Sequence, residues 1–223
     1  CPLAGLGLSR RMEDRIVYTG YLRREAAAPS PGPVPEAPDE PYVLVTTGGG
    51  GDGVDLVDWV IRAYETDRAL CPHAFVVYGP FMPAALRAGF DARIAALGGR
   101  VSAIGFHGQL ERLLANAAGV VAMGGYNTFC EILSADRPAI VVPRTRPRRE
   151  QVIRAAAAEA HGLLRMLTPE RDGAAPETMA RAIRALATRR RPSEAAMPGL
   201  LSGLETVVAR ALPPKPRFAT VGE

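Results

Sequence analysis

Eight residues, Gly124–Glu131, combine the residue types of an anion site with a carboxylate one helical turn further on. The apolar run Gly119–Met123 leads into this segment, and an amphipathic helical pattern leaves it. Glycines let a ligand approach the backbone, and the free N–H groups of a first helical turn attract anions such as phosphate. The Glu131 carboxylate can accept two hydrogen bonds from a vicinal diol such as a ribose. The segment therefore predicts a nucleotide pocket.

The elements around this segment alternate between short apolar runs and helical patterns. Such alternation, with continuously apolar strands, is typical of a parallel sheet covered by helices on both faces. We therefore predict an α/β, Rossmann-like parallel sheet of about six strands flanked by helices. Ligands of such sheets bind beyond the carboxyl ends of the strands, where Gly48–Gly53 and Gly124–Asn127 are expected to lie. The predicted strands are Tyr42–Thr47, Ala74–Gly79, Val101–Phe106, Gly119–Gly124, Ala139–Pro143 and Leu163–Leu167.

Apolar residues spaced three and four apart predict the helices between these strands. A C-terminal helix is also expected, ended by Pro213 and Pro214. Before the sheet, Arg15–Tyr21 favours a further strand. The four predicted apolar stripes are Val54, Val57, Ile61 and Tyr64; Leu110, Leu113, Leu114 and Ala117; Val152, Ile153, Ala156 and Ala160; and Leu200, Leu201, Leu204, Val208 and Ala211.

The composition is that of an ordinary globular chain of 223 residues, with 48% hydrophobic and 22% charged residues. No apolar run reaches the roughly 18 residues that span a bilayer, and no secretory signal is visible. Cys1, Cys71 and Cys130 form no C-x-x-C pair, which argues against a disulfide framework or a zinc site and favours a reducing, cytoplasmic compartment. The formal net charge of +4 is modest, and we predict no nucleic-acid partner.

The other glycine cluster, Gly48–Gly53, follows the first predicted strand and literally satisfies G-x-G-x-x-G. In dinucleotide-binding proteins that fingerprint brings an acidic residue at the end of the next strand, which holds the adenosine ribose. Here the next strand ends in Val76–Pro80 and the acid is missing. A dinucleotide site is therefore disfavoured, and a flexible loop without a ligand is a second alternative. Neither Gly-Lys-Ser nor Gly-Lys-Thr occurs, which excludes a Walker loop.

Five motifs follow the predicted strands in order. They are the glycine loop after the first, Gly105-Phe106 after the third, Gly-Gly-x-x-Thr-x-x-Glu after the fourth, Pro138 and Val142-Pro143 around the fifth, and Glu150-Gln151-x-x-Arg154-Ala155 after it. In this order they resemble the C-terminal, donor-binding half of GT-B glycosyltransferases. The chain is most similar to the glycosyltransferase family 28 and MurG-like enzymes, which use a UDP-sugar. The resemblance covers roughly Arg15 to Leu167, and Tyr18–Tyr21 resembles the passage between the two domains of such enzymes.

The resemblance implies a role for each motif in binding a nucleotide-sugar, which is expected to be a UDP-sugar. It assigns the diphosphate to Gly124, Gly125, Tyr126, Asn127 and Thr128, the ribose to Glu131, the base to Ile104, Gly105 and Phe106, and the sugar hydroxyls to Gln151 and Glu150. The loop Gly48, Gly49, Gly50 and Gly51 is implied to face the diphosphate across the interdomain cleft. Family members often have serine or threonine in that loop, whereas this chain has glycines and Asp52.

The chemistry that the resemblance implies is displacement at the anomeric carbon by an acceptor hydroxyl, while charge grows on the departing diphosphate. The sequence has no Asp-x-Asp, the usual metal-holding motif of the other large glycosyltransferase fold. We therefore expect no metal and no cofactor other than the donor substrate. Four arginines after the fifth strand are candidates to add positive charge near the cleft, with a solvated surface loop as the alternative. They are Arg144, Arg146, Arg148 and Arg149.

The sequence thus divides into four expected segments. Residues 1–24 are a remnant of an N-terminal domain with the interdomain connection, 25–41 a Pro/Ala-rich linker, 42–212 the Rossmann-like nucleotide-sugar-binding domain, and 213–223 a flexible tail. The start, Cys1-Pro2-Leu3, lacks an initiator methionine, so we expect a piece of a longer protein.

The predicted function is the donor-binding domain of a glycosyltransferase that transfers a hexosyl group to an unknown acceptor. Enzymes of this kind take the acceptor pocket and the general base from the N-terminal domain. We therefore assign no catalytic residue and expect the isolated chain to be nearly inactive, with any peripheral membrane association supplied by the missing domain. A nucleotide-sugar 2-epimerase of related fold and a non-catalytic nucleotide-sugar-binding subunit remain the alternatives.

Overall fold

The computed structural model describes residues 7–24, 37–195 and 197–212. The predicted tail, and the predicted linker as far as residue 36, lie outside these residues. Within the described residues the strands are β1 Tyr42–Thr46, β2 His73–Val77, β3 Val101–Ile104, β4 Gly119–Ala122, β5 Ala139–Val141 and β6 Arg165–Met166.

In the described part of the chain, one helix separates each pair of successive strands, and three helices follow β6. The helices are α1 Arg10–Glu13, α2 Val54–Thr66, α3 Ala84–Ala95, α4 Leu110–Asn116, α5 Tyr126–Ala135, α6 Glu150–Ala160, α7 Pro169–Asp172, α8 Pro176–Ala185 and α9 Gly203–Ala211, with short 3₁₀ turns at Leu186–Thr188 and Pro192–Ala195. None of these helices has both the length and the apolar character that a membrane span requires.

All six strands pair in parallel, in the order β3-β2-β1-β4-β5-β6. The strand order reverses between β1 and β4, which are neighbours with Val43 opposite Gly119 and Thr46 opposite Ala122. The loops that leave these two strands therefore emerge side by side. The crevice at such a switch point is the usual ligand site of an open α/β sheet. This topology confirms the predicted Rossmann-like fold.

Helices cover both faces of the sheet, which explains why the inner strands β1, β4 and β5 are buried at every position. Val43 and Val45 of β1 join a core with α2, α3 and α8, whereas Leu44 between them joins a core with α4, α5 and α6. Helix α2 is further tied to the loop before α8, because Trp59 donates its indole N–H to the carbonyl oxygen of Ala175 at 2.9 Å. The two cores hold the sheet rigid beneath the loops at its carboxyl edge.

The strand predicted at Arg15–Tyr21 does not form. Instead, the Tyr21 N–H donates to Leu200 O at 2.7 Å, and the Gly203 N–H donates to Tyr21 O at 3.0 Å. These bonds create one antiparallel bridge, Leu22 with Ser202, rather than a ladder. This segment therefore pairs with the residues just before α9 and does not extend the sheet.

The apolar stripe predicted for α6 is wrong. Helix α6 buries Ala155 and Ala158 and leaves Ile153 and Ala156 exposed. Four consecutive alanines at 155–158 have side chains of equal size, so the pattern does not specify a face, and packing against the sheet chooses it. The predicted C-terminal helix is confirmed as α9, but its apolar face is largely exposed, with Leu204 61% accessible.

Candidate functional site

A cleft of about 580 Å³ opens at the switch point, between the loop after β1 and the start of α5. It brings together most of the predicted site residues. Those of the loop after β1 and those at the start of α5 lie 70 or more positions apart in sequence. Ile104, Gly105, Phe106 and Glu150 do not line it. The cleft is lined by Thr47, Gly48, Gly49, Gly50, Gly51, Asp52, Phe81, Leu110, Met123, Gly124, Gly125, Tyr126, Asn127, Thr128, Glu131 and Gln151.

Helix α5 begins at this cleft. Gly125 is its N-cap, and within the described residues no side chain caps the helix. The Gly125 carbonyl accepts the first intrahelical bond, from the Phe129 N–H at 2.8 Å. The N–H groups of residues 126–128 therefore precede the intrahelical ladder and are the ones that a helix presents to an anion. This geometry suits a phosphate or diphosphate.

The two glycines before α5 have different structural roles. Gly124 has φ of +81°, and a Cβ added there would lie 2.6 Å from Val141 Cγ1, inside van der Waals contact. A Cβ on Gly125 would meet no atom within 4 Å, and the φ of Gly125 is −53°. Gly124 is therefore required by the fold, whereas Gly125 leaves space in the cleft.

This difference predicts opposite results for two alanine substitutions. We expect Gly124→Ala to lower the free energy of unfolding by at least about 1–3 kcal/mol, because an alanine at this φ is strained and clashes with Val141. Gly125→Ala should change it by less than about 1 kcal/mol and weaken pyrophosphate binding instead, because its methyl group takes up cleft volume. Chemical denaturation and titration calorimetry measure the two effects. Equal stability of both variants would contradict the assignment.

Glu131 lies one turn beyond the N-terminal end of α5 and also lines the cleft. Burial raises the pKa of its carboxyl group, while the nearby Arg24 guanidinium opposes the shift and Glu111 adds to it. A partly buried carboxylate beside a polar cleft is suited to accept hydrogen bonds from hydroxyl groups. The helix start and the Glu131 carboxylate thus lie one turn apart on α5 and line the same cleft.

Arg24 reaches the same helix from the N-terminal segment. Its guanidinium donates to Asn127 Oδ1 at 2.5 Å, and its backbone N–H donates to Ser134 Oγ at 2.9 Å. The Tyr21 ring packs against Phe129 with centroids 4.9 Å apart, which holds the segment on α5. Arg24 therefore places a positive charge next to the first turn of α5.

Sequence reasoning missed Arg24. The residue lies 103 positions before Asn127, and only the folded chain brings the two together. The available signal was its place just after Tyr18–Tyr21, the segment that resembles an interdomain passage.

Of the four arginines after β5, Arg144 forms an ion-pair bridge at the side of the cleft. Its guanidinium lies 2.6 Å from Asp52 Oδ2 and 2.9 Å from Glu150 Oε1. Arg144 therefore offsets the negative charge that Asp52 adds to the glycine loop. It does not line the cleft itself, and Arg146, Arg148 and Arg149 are exposed. These positions favour the solvated-loop alternative for the last three arginines.

Gln151 and Glu150 turn towards different cavities. The side-chain oxygen of Gln151 accepts a hydrogen bond from the backbone N–H of Arg144 at 3.0 Å, which orients the Gln151 amide group at the cleft wall. Glu150 instead lines an adjoining groove with Tyr18, Tyr21 and Ile153 among its walls. Only Gln151 of this pair is in place to contact a ligand in the cleft.

The predicted base loop also lies outside the cleft wall. A Cβ on Gly105 would lie 2.9 Å from Arg87 Nη1, so this glycine accommodates the Arg87 guanidinium. Phe106 is 64% exposed. The apolar part of the cleft wall is formed by Phe81, Leu110 and Met123. Among the described residues, no group of three or more histidine, cysteine, aspartate or glutamate side chains is arranged to hold a metal ion.

The chain belongs to glycosyltransferase family 28: the C-terminal domain of that family matches residues 77–205. The matched residues include Gly124–Glu131 and the Glu150–Gln151 pair, whereas Arg24 and the glycine loop precede them. A comparison with curated proteins gave no match.

Three solved glycosyltransferases illustrate the fold. The glycotransferase of kitacinnamycin has a TM-score of 0.62 at 19% identity, over 90% of this chain and 50% of its own. MurG of Acinetobacter baumannii has a TM-score of 0.57 at 16% identity, over 75% of this chain and 46% of its own. CalG4, the calicheamicin glycosyltransferase, has a TM-score of 0.56 at 22% identity, over 86% of this chain and 43% of its own. At these identities the likeness shows the fold, and this chain spans half or less of the length of these proteins.

Proposed function

We propose that this chain is the donor-binding part of a glycosyltransferase and binds a nucleoside diphosphate sugar, with UDP as the nucleotide, in the cleft at the switch point. The observation that carries the proposal is the pairing of an open helix N-terminus with Glu131 one turn later, in a chain of glycosyltransferase family 28. One part meets the diphosphate and the other meets the ribose.

The sheet order gives the donor a direction in this proposal. The diphosphate lies at Gly125–Thr128, in the middle of the carboxyl edge. The transferred sugar lies towards Gln151, which follows β5. The base lies on the opposite side, towards the ends of β2 and β3. The glycine loop Gly48–Gly51 faces the diphosphate from β1, where the absence of side chains lets the ligand come close to the backbone.

The proposed chemistry is departure of the nucleoside diphosphate as an acceptor hydroxyl attacks the anomeric carbon. Negative charge then grows on the diphosphate, and fixed N–H dipoles stabilise it without reorganisation during the reaction. Arg24, bonded to Asn127 beside the first turn of α5, adds positive charge near the same helix end. In this proposal the protein itself neutralises the leaving group in place of a metal ion. The acceptor and its general base are supplied by parts of the full protein outside this chain.

Titration calorimetry with UDP, dTDP, UDP-N-acetylglucosamine and pyrophosphate tests the proposal. We expect heat of binding with UDP and with the UDP-sugar, and little or no sugar transfer by the chain alone. Absence of heat with every nucleotide would contradict the proposed function. Stronger binding of dTDP than of UDP would retain the site and correct the base.

A further inference from the structure

Phe81 is the most exposed large apolar side chain among the described residues, with 75% of its surface accessible. A single exposed apolar side chain is ordinary on a protein surface. The position of Phe81 is not ordinary, because its ring lines the candidate donor cleft. The other aromatic side chain of the cleft, Tyr126, is already engaged, since the Arg154 guanidinium lies 5.5 Å from its ring centroid.

The backbone that carries Phe81 is fixed against the glycine loop. The Phe81 N–H donates to Gly49 O at 2.9 Å. Gly79 has φ of +85°, and a Cβ there would lie 2.4 Å from Gly48 O; a Cβ on Gly50 would lie 2.5 Å from Tyr78 O. The loops after β1 and β2 therefore interlock through glycines that leave no room for side chains. The Phe81 ring is displayed at the cleft wall by a closely packed pair of loops.

The topology places this ring at the base end of the donor. Strands β2 and β3 lie on one side of the switch point, and β5, which leads to Gln151, lies on the other. A nucleotide-sugar with its diphosphate at α5 and its sugar towards Gln151 has its base on the β2–β3 side. Two apolar residues line the cleft there, Phe81 after β2 and Leu110 after β3, whereas Phe106 does not.

We propose that the Phe81 ring stacks against the base of the donor nucleotide. This inference rests on the proposed function and names the aromatic contact of that site. Every base has a π-face, so stacking adds affinity without distinguishing one base from another. Phe81 should therefore strengthen the binding of UDP and dTDP alike, while polar groups elsewhere in the cleft select between the two bases.

Calorimetric titrations of the full chain test this proposal with two substitutions at one position. Phe81→Ala should weaken the binding of both UDP and dTDP about 5- to 100-fold, and should leave pyrophosphate binding unchanged. Phe81→Trp should retain nucleotide binding, because the indole also stacks. The matched control is Leu86→Ala, which removes an apolar side chain that is 41% exposed on α3 and outside the cleft. It should change neither ligand.

Four outcomes would overturn the assignment. If the wild type binds UDP and Phe81→Ala binds it equally well, Phe81 has no stacking role, while the proposed function is retained. Equal losses of UDP and pyrophosphate would mean that the ring supports the glycine loop rather than the base. Loss of UDP binding in Phe106→Ala but not in Phe81→Ala would move the stacking contact to Phe106. A wild-type chain that binds no nucleotide would overturn both the proposed function and this inference.

Discussion

Replacing Glu131 with alanine is expected to weaken UDP binding about 10- to 100-fold and to leave pyrophosphate binding unchanged, since hydrogen bonds to a charged acceptor contribute about 1.5–3 kcal/mol. In the proposed site the carboxylate accepts hydrogen bonds from the ribose hydroxyls, which pyrophosphate lacks, so only the nucleotide should lose affinity. Titration calorimetry with both ligands measures the difference. The matched control is Glu205→Ala, on the exposed surface of α9. Equal losses for UDP and pyrophosphate would remove the ribose assignment.

The raised pKa of Glu131 also predicts how the stability of the fold depends on pH. Burial raises this pKa, so the folded state favours the protonated carboxyl group and the charged form costs stability at neutral pH. The stability linked to this group is fully present below its unfolded pKa of about 4.3 and is lost as pH rises through the raised folded value. Glu131→Gln should therefore increase the thermal midpoint at pH 7 and lose that advantage below about pH 4.

Replacing Arg24 with alanine should weaken the binding of both ligands, unlike the replacement of Glu131. Its guanidinium lies beside the first turn of α5, through its bond to Asn127. We expect UDP and pyrophosphate binding to weaken by the same factor, about 10- to 100-fold, because the lost interaction is with the diphosphate that both ligands share. The dependence of binding on salt concentration should also become shallower, since a charge–charge contact is screened by ions.

The neighbouring Arg23 provides a matched control for Arg24. Arg23 is exposed, and Arg23→Ala makes the same change in net charge one residue away. A small effect of this variant and a large effect of Arg24→Ala would separate the contact from general electrostatic attraction. Equal effects of the two variants, or a loss by Arg24→Ala of UDP binding alone, would contradict the role of Arg24 at the diphosphate.

Elements with a strong periodic pattern could be predicted from the sequence. The stripe Val57, Ile61 and Tyr64 is buried in α2. All six strands predicted for the sheet exist, each ending one or more residues earlier than predicted, whereas the further strand at Arg15–Tyr21 does not form. Large apolar side chains at helical spacing define one apolar face of a helix, and the helix packs that face against the sheet. In α6 the run of alanines lacks this information, and the face was predicted wrongly.

The motif around Gly124–Glu131 could be located from the sequence because it is local. Its glycines, helix start and carboxylate all lie within eight residues, so their relative positions follow from helix geometry. Contacts made across the fold could not be found in this way. Arg24 reaches Asn127 from a distant segment, and the Arg144 bridge between Asp52 and Glu150 depends on how two loops meet. The place of Phe81 in the cleft wall depends likewise on the packing of glycine loops.

Backbone amide spectra of ¹⁵N-labelled chain during a UDP titration test the central claim most directly. We expect the largest shifts at Gly125–Thr128, with further shifts in the loop Gly48–Gly51, because the diphosphate bonds to these N–H groups. A parallel pyrophosphate titration should shift the same amides and leave Glu131 nearly unchanged. Saturable UDP binding that leaves the amides of residues 125–128 unshifted would contradict the account.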